Sequence, residues 1–195
     1  MGQGRLVPAV LHRAIRARRL EQTTRRDALT GFLTAGMLHD ELESVLAHAR
    51  RSGEQLCLLL LDVDHFRRLN EQLGHETGDR ILAHVARVVR DRTRSSDLVA
   101  RMGGEEFGVV FRHCAPADAY AVAEKIRGAV ESAPPVVEET PMPVRLSGGL
   151  AGYPAHASGG RELLLAAEHA LREAKATGRD KVVVAQPIGR KTVGR

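Results

Sequence analysis

The amino-acid sequence predicts an α/β sandwich with a mixed, mainly antiparallel central sheet and flanking helices. Three observations predict it. Leu56-Cys57-Leu58-Leu59-Leu60-Leu61 is a continuous apolar run ending in Asp62-Val63-Asp64, the pattern of a strand buried on both faces. Gly103-Gly104 lies between two short β-prone runs, which reads as a tight hairpin because adjacent glycines supply positive φ. The remaining chain alternates helical and strand patterns.

The elements follow in order. Residues 6–26 carry a partial apolar stripe and are expected to be helical. Asp27 to Thr34 breaks that pattern at Gly31. A helix is expected from about Gly36 to Arg51, with Met37, Leu38, Leu42, Val45, Leu46 and Ala49 on one face. After the central strand, helical sequence runs to about Arg92 in two pieces around Gly74 and Gly78. Leu98 to Met102 and Phe107 to Phe111 are the hairpin strands. Pro116 opens a helix to about Val130, at a position where its missing N–H costs little. Pro134 to Pro141 reads as a loop. Val144 to Tyr153 reads as a strand interrupted by Gly148-Gly149. A helix over Glu162 to Thr177 stops at Gly178, and Lys181 to Ala185 closes as a short strand. This order suits a ferredoxin-like layout. The expected organisation is a basic helix or linker over 1–26, one domain over 27–185 and a flexible basic tail over 186–195.

Charge is uneven. The net charge is +5, yet residues 1–26 alone hold seven arginines against Glu21, so the remainder is close to neutral. A basic arm can touch nucleic acid or anionic lipid, but a solvated helix face is the simpler expectation, with no specific nucleic-acid partner. No apolar run approaches the roughly 20 residues that span a bilayer, and the N-terminal region lacks the apolar core of a signal peptide. With Cys57 and Cys114 in apolar surroundings and no disulfide framework, a reducing cytoplasm is the expected location. The chain has no Walker A motif, no metal-ligand spacing among its nine histidines, and no Ser/His/Asp or Cys/His pattern.

The carboxylates point to the chemistry. Asp62 and Asp64 end a buried strand, and Glu105 and Glu106 follow the glycine turn. If the two strands share a sheet, these acids meet at one edge. Clustered carboxylates resist ionisation unless a cation joins them. Hard oxygen donors with open positions suit Mg²⁺, which keeps waters and takes phosphates. Alternation along a strand sends Asp62 and Asp64 to one side but Glu105 and Glu106 to opposite sides, so the four do not share one ion.

Gly103-Gly104-Glu105-Glu106-Phe107 is a run expected by chance on the order of once per million positions. It resembles the signature of GGDEF-domain diguanylate cyclases in the GGEEF variant. Asp62-Val63-Asp64-His65-Phe66-Arg67-Arg68-Leu69-Asn70, Leu73 to Asp79 and Ala174 to Arg179 match the family at its spacing. The resemblance covers about Asp27 to Val184. It departs at Thr34-Ala35, where the family has an Asn-Arg pair, at Gly148 in the usual Ser-Ile-Gly, and at Asp180, where Asn is usual.

The resemblance implies the nucleotidyl-cyclase-like GGDEF fold and condensation of two GTP into cyclic di-GMP plus two pyrophosphates at a homodimer interface. Asp62, Glu105 and the Val63 carbonyl would ligate Mg²⁺, with Mn²⁺ as a substitute. Glu106 would bind a second ion or activate the 3′-hydroxyl. Asn70 and Asp79 would read guanine, whose N1–H and N2–H₂ a carboxylate accepts. Arg67, Lys175 and Arg179 would hold phosphates, with backbone N–H groups around His65 and Phe66 at a helix N-terminus. Gly103 and Gly104 would give the substrate room. Arg94 and Asp97 form the Arg-x-x-Asp pattern of an inhibitory product site, with Lys125 where the family usually has an arginine. A sensory or regulatory partner would act through the N-terminal helix. The competing expectation is a weak or inactive domain that only receives cyclic di-GMP.

Overall fold

The computed structural model describes residues 25–187 apart from residue 138. The expected helix over 6–26 and the tail over 186–195 lie almost wholly outside these residues. Where the first of them enters, Arg25 and Arg26 are not helical. Arg26 forms a β-bridge to Leu33, and Thr34 N–H donates to the Arg25 carbonyl.

The chain then runs β1 (Leu33–Thr34), α1 (Ala35–Ser52), β2 (Leu56–Val63), α2 (Phe66–Leu73), α3 (His75–Arg92), β3 (Leu98–Gly103) and β4 (Glu106–Arg112). It continues with α4 (Pro116–Ser132), β5 (Val136–Val137), β6 (Thr140–Pro141), β7 (Leu146–Tyr153), α5 (Gly160–Ala176) and β8 (Val182–Val184). The main sheet has the order β1-β3-β4-β2-β7-β8. Its three central pairings are antiparallel, and the outer strands β1 and β8 join in parallel. The mixed, mainly antiparallel α/β sandwich is therefore the fold present.

All eight residues of β2 are buried, as its apolar run predicts. Period-two alternation divides them between two cores. Cys57, Leu59, Leu61 and Val63 pack with α3 and α4, while Leu56, Leu58 and Leu60 pack with α1 and α5. Each fully buried leucine contributes roughly 1.5–3 kcal/mol, so this strand is the spine that carries Asp62 to its position.

Three local expectations change. The strand β7 is continuous through Gly148 and Gly149. A Cβ at Gly149 would lie 2.2 Å from the Ala167 carbonyl oxygen and 2.3 Å from the Leu171 nitrogen, so the glycine lets α5 press directly on the strand. The helical break after β2 falls at Gly74 alone (φ 83°), and Gly78 is buried inside α3. The loop over 134–141 contains the small β5–β6 hairpin. Among the described residues, no helix is long and apolar enough to cross a membrane.

The segment before α1 is anchored without the Asn-Arg pair. The Asp27 carboxylate accepts the Thr30 amide at 2.9 Å and the Thr30 hydroxyl at 2.7 Å, and Arg26 donates to the Gly31 carbonyl. Phe32 is buried edge-on against Phe107, 6.1 Å between centroids, with the Arg90 guanidinium over its ring. These contacts tie the segment to the core by an aromatic plug.

Candidate active site at the end of the central strands

The edge where β2 and β4 finish collects the acids. Asp62 is in register with Glu106 on one side and with Ser147 on the other. The turn between β3 and β4 is centred one residue later than expected. Gly103 pairs with Glu106, a bulge shifts the register after Arg101, and Gly104-Glu105 form the turn itself. Gly103 (φ 146°) and Gly104 (φ 50°) supply the positive φ this geometry needs. Glu105 is thus a turn residue, held to the end of β2 by the Val63 amide, which donates to its carbonyl at 3.3 Å.

Arg101 fastens the turn. Its Nε and Nη2 donate to the Gly104 carbonyl at 3.0 and 2.8 Å, and its Nη1 pairs with Asp27 at 3.2 Å. Burial pushes the Asp27 carboxyl up, but the Thr30 donors and Arg101 outweigh it and hold the carboxyl below its ordinary range. Neither residue is in the set of site residues read from the sequence. Nothing in the spacing of Asp27 and Arg101 signals that they touch.

Asp62 is almost fully buried and pairs with the Lys175 ammonium at 2.7 Å. Burial raises its carboxyl, Lys175 opposes that, and the charges of Glu105 and Asp64 add to the rise. Glu106 is exposed at its strand end. The protein around its carboxyl still raises it, helped by Asp62 and Glu105 and countered by Lys175. Asp64 is committed elsewhere. It accepts the Ser147 hydroxyl at 2.7 Å and the Asp180 amide at 3.1 Å, and Arg179 Nε stands 3.9 Å away. Among the described residues, no three His, Cys, Asp or Glu side chains form a ready-made metal cage.

Glu105 and Glu106 face different hollows. Glu105 lines a cleft of about 590 Å³ with Phe66, Arg67, Asn70, Asp79 and Gly104. Asn70 Oδ1 is buried there without a hydrogen-bond partner. A Cβ at Gly78 would sit 1.9 Å from that oxygen, so the glycine makes its room. His65 precedes α2 in the left-handed region (φ 59°) and is exposed, and Phe66 is buried. The first N–H groups of α2 have no intrahelical partner by geometry and open beside this cleft. Arg67 is paired with Glu71 at 3.0 Å on the surface. Glu106 instead lines a hollow of about 240 Å³ whose floor is apolar, from Leu60, Met102 and Leu171, with Lys175 at its rim.

The Arg94–Asp97 pair lies apart, in the connection between α3 and β3. Asp97 is buried and accepts the Arg94 amide at 2.9 Å and the Arg112 amide at 3.3 Å. Its carboxylate shapes that turn. The Arg94 side chain is exposed, and Lys125 is exposed on α4.

The family model described as "Diguanylate cyclase, GGDEF domain" matches residues 24–181. The chain is 35% identical to diguanylate cyclase DgcP of Pseudomonas aeruginosa over 82% of its own length and 24% of that protein's. It is 37% identical to the probable diguanylate cyclase DgcT of Escherichia coli, over 82% of this chain and 35% of the relative. It therefore spans only a quarter to a third of these relatives. Among solved structures, the GGDEF domain of TpbB from Pseudomonas aeruginosa superposes with a TM-score of 0.80 at 34% identity, covering 83% of this chain and 94% of that one. The GGDEF domain of DgcB from Caulobacter crescentus, solved in complex with c-di-GMP, gives 0.78 at 31% identity, covering 83% and 95%.

Proposed function

This chain belongs to the GGDEF family, and we propose that it condenses two GTP molecules into cyclic di-GMP with release of two pyrophosphates. The observation that carries the reading is the cleft that Asn70, Asp79 and Glu105 line together. An amide and a carboxylate can each accept from a ligand N–H there. Guanine carries such donors along its N1–H and N2–H₂ edge, and Asp79 offers a carboxylate to the same edge.

The reaction then falls at the sheet edge. Asp62, Glu105 and the Val63 carbonyl are hard oxygen donors, and the raised carboxyls of Asp62 and Glu106 are what a divalent cation would relieve. Mg²⁺ fits, since it binds through one or two carboxylates and completes its shell with water and phosphate. When bound, it would neutralise charge on the transferring phosphoryl group and the pyrophosphate. Lys175, which now neutralises Asp62, would become available to the phosphates, as would Arg67, Arg179 and the first amides of α2. Each 3′-hydroxyl attacks the α-phosphorus of the other GTP. The new P–O bond forms as the bond to the β-phosphate oxygen breaks. Glu106, outside the guanine cleft, is positioned to take the hydroxyl proton or hold a second ion. One subunit presents one GTP, so turnover requires a two-fold homodimer.

Arg94, Asp97 and Lys125 would bind the product, a reading supported by the c-di-GMP complex of the DgcB domain. Regulation by a protein partner is supported by SiaD of Pseudomonas aeruginosa, solved with its activator SiaC, and the segment before residue 27 would receive such a partner. The substrate places the domain in the cytoplasm. The test is incubation of the purified protein with GTP and Mg²⁺ across protein concentrations, with cyclic di-GMP measured by chromatography. Product formed with a second-order dependence on dilute protein is the expected result. Cyclic di-GMP bound but never made would replace the enzyme by a receptor.

A further inference from the structure

The departure at Asp180 has a structural counterpart. Gly178, Arg179 and Asp180 follow α5 with φ of 110°, 59° and 48°. Two consecutive non-glycine residues in the left-handed region persist only when the surroundings hold them there. Here the surroundings do. Arg179 N–H donates to the Ala174 carbonyl at 2.9 Å, and the Gly148 amide donates to the Lys181 carbonyl at 2.8 Å. Asp180 N–H donates to Asp64. The Asp180 carboxylate accepts Arg127 Nη1 at 2.7 Å on one oxygen and Arg145 Nη1 on the other. Arg127 is itself fixed by Glu124 at 2.9 Å and Glu131 at 3.0 Å, and Glu124 also accepts the Val182 amide at 3.0 Å. The clamp thus joins α4, β7, β8 and the end of β2 around three residues.

We infer that Asp180 is a positioning residue for phosphate binding. Gripped by Arg127 and Arg145, it fixes the Gly178–Lys181 turn so that the Arg179 guanidinium stands at the acidic edge beside Asp64. A carboxylate so near a polyphosphate site would ordinarily repel the substrate. Here both of its oxygens are occupied by guanidiniums, which it shares with Glu124 and Glu131, so the carboxylate is engaged by the protein and the turn keeps its shape. An asparagine here accepts through a single oxygen, and its amide nitrogen would confront the second arginine. The two-arginine clamp therefore calls for aspartate in this chain. The inference rests on the reading of the cleft as a GTP site.

The experiment measures KM and kcat for GTP, GTP affinity and thermal midpoint in the full chain and five variants. Asp180→Ala is expected to raise KM roughly 10-fold with kcat changed less than about 2-fold, the size seen when a supporting residue is lost. Asp180→Asn is expected to restore part of the loss. Arg179→Ala should raise KM at least as much, and Asp180→Ala on that background should add nothing, because the two act through one guanidinium. Should Asp180→Ala fail to fold, the exposed Arg145→Ala loosens the same clamp and is expected to raise KM about 3-fold, a fraction of that loss. Additive effects of Asp180→Ala and Arg179→Ala, or an unchanged KM in a wild type that makes product, would overturn the positioning role alone. A wild type that does not bind GTP would overturn both it and the functional reading.

Discussion

Glu105 and Glu106 are neighbours in the chain, but their surroundings differ. Glu105 belongs to a two-residue turn and opens on a polar cleft with Asn70 and Asp79. Glu106 begins a strand opposite Asp62 and opens on an apolar hollow rimmed by Lys175. Alternation at the strand end sends the two side chains to opposite sides, and the turn at Gly104-Glu105 fixes where each one stands. One acid thereby lines the cleft with Asn70 and Asp79, and the other lines the hollow with Lys175.

The sharpest way to break this division is to remove each acid in turn. Glu106→Ala is expected to lower kcat by roughly 10²–10⁴-fold, the range for loss of a proton-transfer group, and extra Mg²⁺ should not restore it. Glu105→Ala, at the proposed ion ligand, should also abolish most turnover but recover in part as Mg²⁺ is raised. Steady-state kinetics across a metal titration separates the two, and identical metal responses would erase the distinction. Circular dichroism should show both variants folded.

The guanine cleft comes next in size. Asp79→Ala should weaken GTP binding by about 1–3 kcal/mol, read by calorimetry, and narrow the preference for GTP over ATP. Gly78→Ala is a finer probe, since its Cβ would enter the space of Asn70 Oδ1. It is expected to weaken GTP binding while leaving Glu106-dependent chemistry unchanged at saturating substrate. If GTP affinity is unaffected, Asn70 is not the base-reading group.

The smallest expected effect concerns the anchor behind the turn. Asp27 has its carboxyl lowered in the folded state, so its contribution is present above its unfolded pKa of about 3.9 and is lost as pH falls through the folded value. Asp27→Asn should therefore lower the melting temperature at pH 7 and make a smaller difference near pH 3. An equal loss at both pH values would remove charge from the account of this anchor.

Much of this was legible in the chain because it depends on local chemistry. The leucine run of β2 announces a strand buried on both sides, and alternation along it follows from strand geometry. Pro116 and Gly74 mark helix ends by the dihedral angles they favour or allow. Gly78 and Gly148-Gly149 misled for one reason. Glycine weakens a helix or strand taken alone, whereas here Gly78 makes room for Asn70, Gly149 for α5, and Gly148 lies close against Leu61 and Val182.

By itself, then, the sequence determined the order and type of the long elements, the acidic edge and the family resemblance, since hydrophobic period and residue chemistry are properties of short stretches. The tertiary structure decided which partners those residues met. Only folding brings Arg101 between Asp27 and Gly104, Lys175 onto Asp62, and Arg127 with Arg145 onto Asp180. Apart from the short Arg101–Gly104 link, those contacts join residues distant in the chain, and their geometry is set by sheet register and helix packing, which no local pattern encodes.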